Sequence, residues 1–389
     1  MENDRTMRLG VVAEQGGSMA NLRRTGQDTR FIEQYLRLYA REFEEVYYFS
    51  YEREKADRPV AENFYLCANP GFHRWLYSFL MPIVHARRFR RCSVLRVMQA
   101  TGAIPARLSR LLFGAPFVIT YGYHYAAEAR RAGKRLRAWV FDRRVRWALR
   151  CADGIIVTTP ALAEFVRSIA PAGRIALIPN SVNTDRFSPA PEKEGRGERL
   201  EAGEKRSLSR YRLIAVGNLT PTKNHRLILD AVALTGRDDL EVAIVGAGPE
   251  EQTLRRLAGE KGIVLELSGI VPNEKLPEQY QRSDLYLITS LSEGQPKSLL
   301  EAMSVGLPCI GTDVKGIRDV LVDGQTGWLC PLEAGALAAR IKAVLGNREM
   351  ALAAGVRARQ FVLENYDAKV VMSREVAFLK AVASRSTRL

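Results

Sequence analysis

Two glutamates, Glu293 and Glu301, close the ends of the stretch EGQPKSLLE. Pro296 fits the first position of a helix, where its missing N–H costs nothing. Gly306 followed by Pro308 fits that helix's stop. The spacing predicts a helix from Pro296 to Val305. The amides of Lys297 and Ser298 would be unpaired donors at its positive end, which suits a phosphate. A carboxylate accepts well from paired sugar hydroxyls. Two glutamates beside a phosphate-binding helix end point to a nucleotide-sugar site. The plainer alternative makes Glu293 a solvated loop residue and Glu301 a surface residue. Against it, Glu301 lies inside the apolar run Leu299 to Met303, where a charge needs a partner.

Lys223 precedes another predicted helix, from Asn224, and could neutralise phosphate, although an isolated lysine is more often a surface residue. Gly246-Ala-Gly-Pro249 lacks the third glycine of the G-x-G-x-x-G fingerprint. It gives weak support to dinucleotide binding, or is a tight turn with no ligand.

Each of these loops follows a short apolar run: Leu213–Gly217, Val242–Gly246 and Leu285–Ser290. In an open parallel sheet, ligands bind outside the carboxyl ends of the strands. The three loops are therefore expected to face one crevice. The N-terminal half alternates in the same way. Strands are expected at Arg8–Ala13, Val46–Ser50, Leu95–Gln99, Phe117–Thr120 and Gly154–Thr158, and a helix over Gln27–Phe43. Such alternation implies an α/β chain with parallel sheets and crossover helices. At 389 residues the chain is too long for one typical core. The expected division is an N-terminal domain, 1–182, and a C-terminal domain, 183–367. A polar segment, Ser188–Arg210, lies just inside the second.

Hydrophobic residues make up 47% and charged residues 26%, an ordinary globular balance under which disorder is not the leading reading. Five scattered cysteines with no C-x-x-C argue against a disulfide framework and a zinc site. The first residues hold no apolar signal core, and the stretch Trp75 to Val84 is too short to span a bilayer. The expected compartment is the cytoplasm. The net charge is +15, and residues 70–150 alone hold 17 basic and 2 acidic residues. That field favours an anionic partner, or simply solubilises the chain. No recognised nucleic-acid motif accompanies it.

Residues Asp284 to Leu329 resemble the signature region of the family-4 glycosyltransferases, and Glu293 to Glu301 matches that family's E-x7-E motif. IPNSVNTDRFSP, from Ile178, resembles its interdomain segment. Val216-Gly-Asn-Leu with Lys223 resembles V-G-R-L-x-x-x-K, and Ile244 to Pro249 resembles its G-x-G-P turn. The resemblance implies a GT-B fold of two Rossmann-like domains facing an interdomain cleft, with a final helix, 368–389, returning to the first domain. It implies transfer of a sugar from a nucleotide sugar to an acceptor, such as a membrane lipid-linked glycan or a polysaccharide precursor. Retention of configuration and no metal cofactor are implied too, and the sequence contains no D-x-D. Lys223 would contact the diphosphate, Glu301 the ribose, and Glu293 the transferred sugar and phosphates. The backbone near Val271 would meet the base. Amides of Gly294, Gln295, Lys297 and Ser298 would cover phosphate and sugar.

Two departures stand out. Asn218 replaces the family's arginine, removing a positive charge from the diphosphate. The usual T-x-H becomes Thr120-Tyr-Gly-Tyr-His124. His124 is the candidate cleft histidine, or a structural one among aromatics. A glycine-rich loop of such enzymes would fall at Gly16-Gly17 or at Gly26-Gln27, just before the first expected helix. Another GT-B chemistry (a sugar-nucleotide epimerase or a phosphorylase) and a non-catalytic scaffold are the competing readings. Phe72–Arg91, aromatic and basic, suits a surface helix dipping into an anionic leaflet, or a core helix with a basic outer face. Trp139, Trp147 and the arginines from Arg130 to Arg150 could extend that surface. Peripheral attachment to a membrane is the expectation.

Overall fold

The computed structural model describes residues 6–55, 60–122, 130, 133–190 and 210–386. The chain divides into two compact units, Met1–Asn180 with Lys369–Leu389, and Ser181–Ala368.

Among the described residues, unit 1 is built on seven parallel strands in the order β3-β2-β1-β4-β5-β6-β7. These are β1 (Arg8–Val12), β2 (Glu45–Phe49), β3 (Phe64–Cys67), β4 (Val94–Val97), β5 (Phe117–Tyr121), β6 (Gly154–Val157) and β7 (Ile175–Leu177). The central strands are apolar runs because both faces of a parallel sheet are covered. β1 lies between β2 and β4, with Gly10 opposite Tyr47 and Leu95. The expected strands appear within a residue or two of their sequence positions.

The helix expected over Gln27–Phe43 forms as Asp28–Phe31, a π-helical stretch Ile32–Leu36, and Arg37–Glu42. It is not the first helix. Met19–Arg24 is helical too, within a polar segment that shows no apolar period. Its caps explain it. The Ser18 hydroxyl accepts from the Asn21 amide, and the Glu54 carboxylate accepts from the amides of Met19 (3.1 Å) and Ala20 (2.6 Å).

Helix Ala368–Ser386 closes unit 1. Val371, Met372, Val376, Leu379 and Val382 join the same core as β1, β4 and β5. Beside them Glu375 Oε1 accepts from Arg96 Nε of β4 at 2.6 Å and from the Tyr39 hydroxyl. All three side chains are buried. Burial, then the Glu375 charge, holds the Tyr39 phenol well above its ordinary range.

Unit 2 has six parallel strands in the order β10-β9-β8-β11-β12-β13. They are β8 (Tyr211–Val216), β9 (Leu240–Val245), β10 (Val264–Leu267), β11 (Leu285–Ile288), β12 (Cys309–Thr312) and β13 (Trp328–Cys330). Side chains alternate across the sheet. Leu213 and Ala215 enter one apolar core, and Ile214 enters the other. The order turns back between β8 and β11, the kind of place where open sheets bind ligands.

Candidate active site

Backbone bonds lace together the loops that leave β8, β9 and β11. Gly217 N–H donates to the Val245 carbonyl (2.9 Å), Leu219 N–H to Ala247 (3.0 Å), and Glu250 N–H to Leu219 (3.1 Å). Gly246 has φ +149°, and a Cβ there would lie 2.0 Å from the Gly217 carbonyl oxygen. The glycine turn thus lets two loops touch. On the other side Leu291 N–H donates to the Thr222 carbonyl (2.8 Å), and the Thr289 hydroxyl to that of Asn224 (3.0 Å).

This lacing brings Lys223 to Glu293. Lys223 Nζ donates to Glu293 Oε1 at 2.5 Å, and the Ser290 hydroxyl donates to the same oxygen at 2.6 Å. A Cβ at position 316 would lie 2.2 Å from the Gly294 carbonyl oxygen, so Gly316 lets the β12 side back the Glu293–Gly294 loop. Asn218 is exposed on the loop that carries Lys223.

The helix after this loop is Lys297–Ser304, with Pro296 as its cap. That is one residue later than the sequence suggested. Pro296 has a helix-compatible φ of −74°, but its ψ of 115° is extended and leaves it outside the turn. Gln295 is buried. Ser298 accepts at its hydroxyl from Tyr286 (2.8 Å) and at its carbonyl from Tyr280 (3.3 Å). Glu301 is 2% exposed, so it is not a surface residue. Tyr280 donates to its Oε2 at 3.0 Å and Asn273 Nδ2 to its Oε1 at 3.4 Å. Val271, half-buried, stands two residues before Asn273 in the segment after β10. Tethering of Asn273 to Glu301 therefore brings that segment to the same helix.

Ser290, Tyr280 and Asn273 escaped the sequence reading. The apolar run around Glu301 signalled that partners must exist, but nothing local identified them. His225 was missed too. It is buried two residues beyond Lys223, and among the described residues neither ring nitrogen has a regular hydrogen-bond partner. Burial, helped by the Lys223 charge, pushes its imidazole down to about 4.

In unit 1, Gly17 N–H donates to the Glu14 carbonyl at 2.7 Å and its carbonyl accepts from Tyr51 at 3.0 Å. The helix start that follows is already occupied by the Glu54 carboxylate. Gly26, with φ +67°, turns the chain between two helices, its amide donating to the Arg23 carbonyl. His124 lies outside the described residues.

Comparison with known proteins bears on the family and the fold. Residues 26–186 match the family model described as Glycosyltransferase Family 4, and residues 198–361 match Glycosyl transferases group 1. The phosphatidyl-myo-inositol mannosyltransferase of Mycobacterium leprae is 31% identical over 281 residues, covering 62% of this chain and 71% of that protein. The GDP-mannose-dependent alpha-(1-6)-phosphatidylinositol monomannoside mannosyltransferase of Mycolicibacterium smegmatis is 28% identical over 266 residues, covering 61% and 68%. Among solved structures, sucrose-phosphate synthase from Thermosynechococcus elongatus superposes with a TM-score of 0.77 at 17% identity, covering 97% of this chain and 100% of that one. The two parallel-sheet units are those of the GT-B fold, and the chain belongs to the family-4 glycosyltransferases.

Proposed function

We propose that this glycosyltransferase takes a sugar from a nucleotide-sugar donor and passes it, with retention of configuration, to a lipid-linked acceptor. The observation that carries the donor assignment is the meeting of Lys223 and Glu293 at 2.5 Å, next to the helix that bears Glu301. When the bond between the anomeric carbon and the diphosphate oxygen breaks, negative charge grows on the departing diphosphate. Lys223 stabilises that charge, and amides of Gly294, Gln295, Lys297 and Ser298 assist. Glu301, held by Tyr280 and Asn273, accepts from the ribose hydroxyls, and the backbone at Val271 meets the base. Asn218 offers hydrogen bonds without charge, so more of the task falls on Lys223. Glu293 faces the transferred sugar. His124, Gly17 and Gly26 remain candidates in unit 1.

The names of both mycobacterial relatives support a lipid acceptor, and one name specifies GDP-mannose as donor. A resident metal is not part of the proposal, since the sequence has no D-x-D. Activity is expected to survive EDTA.

A thermal-shift screen against nucleotide sugars tests the donor assignment. A ligand at a hundred times its Kd adds about 2.7 kcal/mol to stability. A panel in which no nucleotide sugar raises the melting temperature would sink the reading. Retention is checked by the anomeric coupling in the NMR spectrum of the product.

A further inference from the structure

Helix Arg135–Cys151 is apolar on two sides. Ala138, Val145, Ala148 and Leu149 are buried in unit 1. Leu136, Trp139, Val140 and Trp147 are exposed, and their spacing puts them on one face. Leu136 keeps 76% of its surface and Trp139 58%. Helix Arg74–Val84 repeats the arrangement. Tyr77, Ser78 and Met81 are buried, while Trp75, Leu76, Phe79 and Ile83 are exposed.

The two helices adjoin. The Arg144 guanidinium lies 5.2 Å from the centre of the Trp75 ring. Arg144 also donates to Gln15 Oε1 at 3.0 Å, and Gln15 donates to the Ser78 hydroxyl at 3.2 Å. Arg143 stacks in the same way on Trp139, at 5.2 Å. Helix Arg135–Cys151 has six arginines and a single acid, Asp142, which is paired with Arg146 at 2.7 Å. Soluble monomers rarely expose apolar surface on this scale without a partner.

We propose that this face of unit 1 docks on an anionic bilayer. The exposed aromatic and aliphatic side chains enter the headgroup boundary, and Arg143 and Arg144 meet lipid phosphates. Charge selects the occupant. A second copy would set one arginine-rich face against another, a like-charge contact that opposes association. An anionic leaflet is complementary, and indole rings suit its boundary. Three arginines of the Phe72–Arg91 stretch make contacts within unit 1, while Arg74 and Arg87 are exposed. Arg88 lies over Tyr47 and Tyr65, Arg90 over Phe113, and Arg91 pairs with Glu45. Helix Arg135–Cys151 adds its own arginines to the basic surface of that stretch. Among the described residues no helix is long and apolar enough to cross a membrane, so the attachment lies on the surface.

The test uses the full chain with vesicles of phosphatidylcholine alone or mixed with phosphatidylglycerol. The chain is expected to pellet with the mixed vesicles, to stay in solution with neutral ones, and to be released by salt. Tryptophan emission should shift to the blue on binding. Leu136→Gln with Trp139→Gln, and separately Arg143→Gln with Arg144→Gln, should each weaken binding about tenfold or more. The charge-matched control in unit 2, Arg255→Gln with Arg256→Gln, should leave it unchanged. Failure to pellet with anionic vesicles at low salt overturns the proposal. So does a control as weak as the Arg143/Arg144 pair, which would make net charge the cause. A dimer that Leu136→Gln with Trp139→Gln dissolves, without vesicle binding, assigns the face to a second copy. Nucleotide binding is measured without vesicles, so failure there counts against the donor site alone.

Discussion

Lys223 has its charge matched by Glu293, and a diphosphate placed at this site would compete for the same ammonium. Two consequences can be measured. Lys223→Ala should lower kcat about 30- to 100-fold, roughly 2–3 kcal/mol of transition-state stabilisation, while changing nucleotide-sugar affinity much less. Asn218→Arg in that background should recover part of the loss, and full turnover in Lys223→Ala would place the stabilisation elsewhere. Glu301→Gln should weaken nucleotide binding by about 1.5–3 kcal/mol, or ten- to a hundredfold. Calorimetry on a variant with native circular dichroism decides that one. His225 gives a pH prediction. Its imidazole sits at about 4 in the folded chain against an ordinary 6.5. The unfolded chain therefore takes up its proton first as pH falls. The stability linked to His225 is whole above pH 6.5 and is lost progressively toward pH 4. The full effect is about 3 kcal/mol. The urea midpoint of His225→Gln should fall less between these pH values than that of the wild type. Parallel curves would mean that His225 is not held neutral.

Among the elements, the loops behave as one laced assembly, and close glycine contacts set its tolerance. A Gly316→Ala methyl would meet the Gly294 carbonyl at 2.2 Å and push the Glu293–Gly294 loop away. Overpacking of this kind costs about 1–3 kcal/mol. The donor affinity of Gly316→Ala is expected to fall about tenfold, read by the same calorimetry. Undiminished affinity would show that the loop can shift without consequence. What was legible in the sequence follows the same physics. The buried strands were readable because a covered parallel sheet needs unbroken apolar runs, as in the LYLI of β11. Glu301's need for a partner was readable from its apolar neighbours, whereas Tyr280 and Asn273 were not. Helix Met19–Arg24 was missed although Ser18 is a local cap, because the segment is short and its second cap, Glu54, lies more than thirty residues away. Of the exposed stripe of helix Arg135–Cys151, Trp139, Trp147 and the arginines were read from the sequence, whereas Leu136 and Val140 were not, because two apolar sides leave no clean single-sided period.

At the scale of the whole molecule, unit 1 depends on chain from both ends. Arg96 is buried and meets Glu375, which lies 279 residues later. Removing one partner of such a pair costs about 3–5 kcal/mol, because the other charge stays buried and unmatched. Glu375→Ala should therefore lower stability by that amount in urea titration, and Glu375→Gln by less, since an amide can still accept from Arg96. An effect below about 1 kcal/mol would mean that water reaches the arginine. Residues 1–180 made alone should fail to reach a cooperative fold, and a peptide of residues 369–386 should rescue them. The same helix orders events during synthesis. The ribosome delivers every residue of unit 2 before it delivers the helix that completes unit 1. The part made first is thus the part finished last, and a message cut short anywhere before Lys369 leaves an open core and an unmatched arginine. Such a fragment leaves apolar surface uncovered, and exposed apolar surface of this kind is what makes incompletely folded chains prone to aggregation.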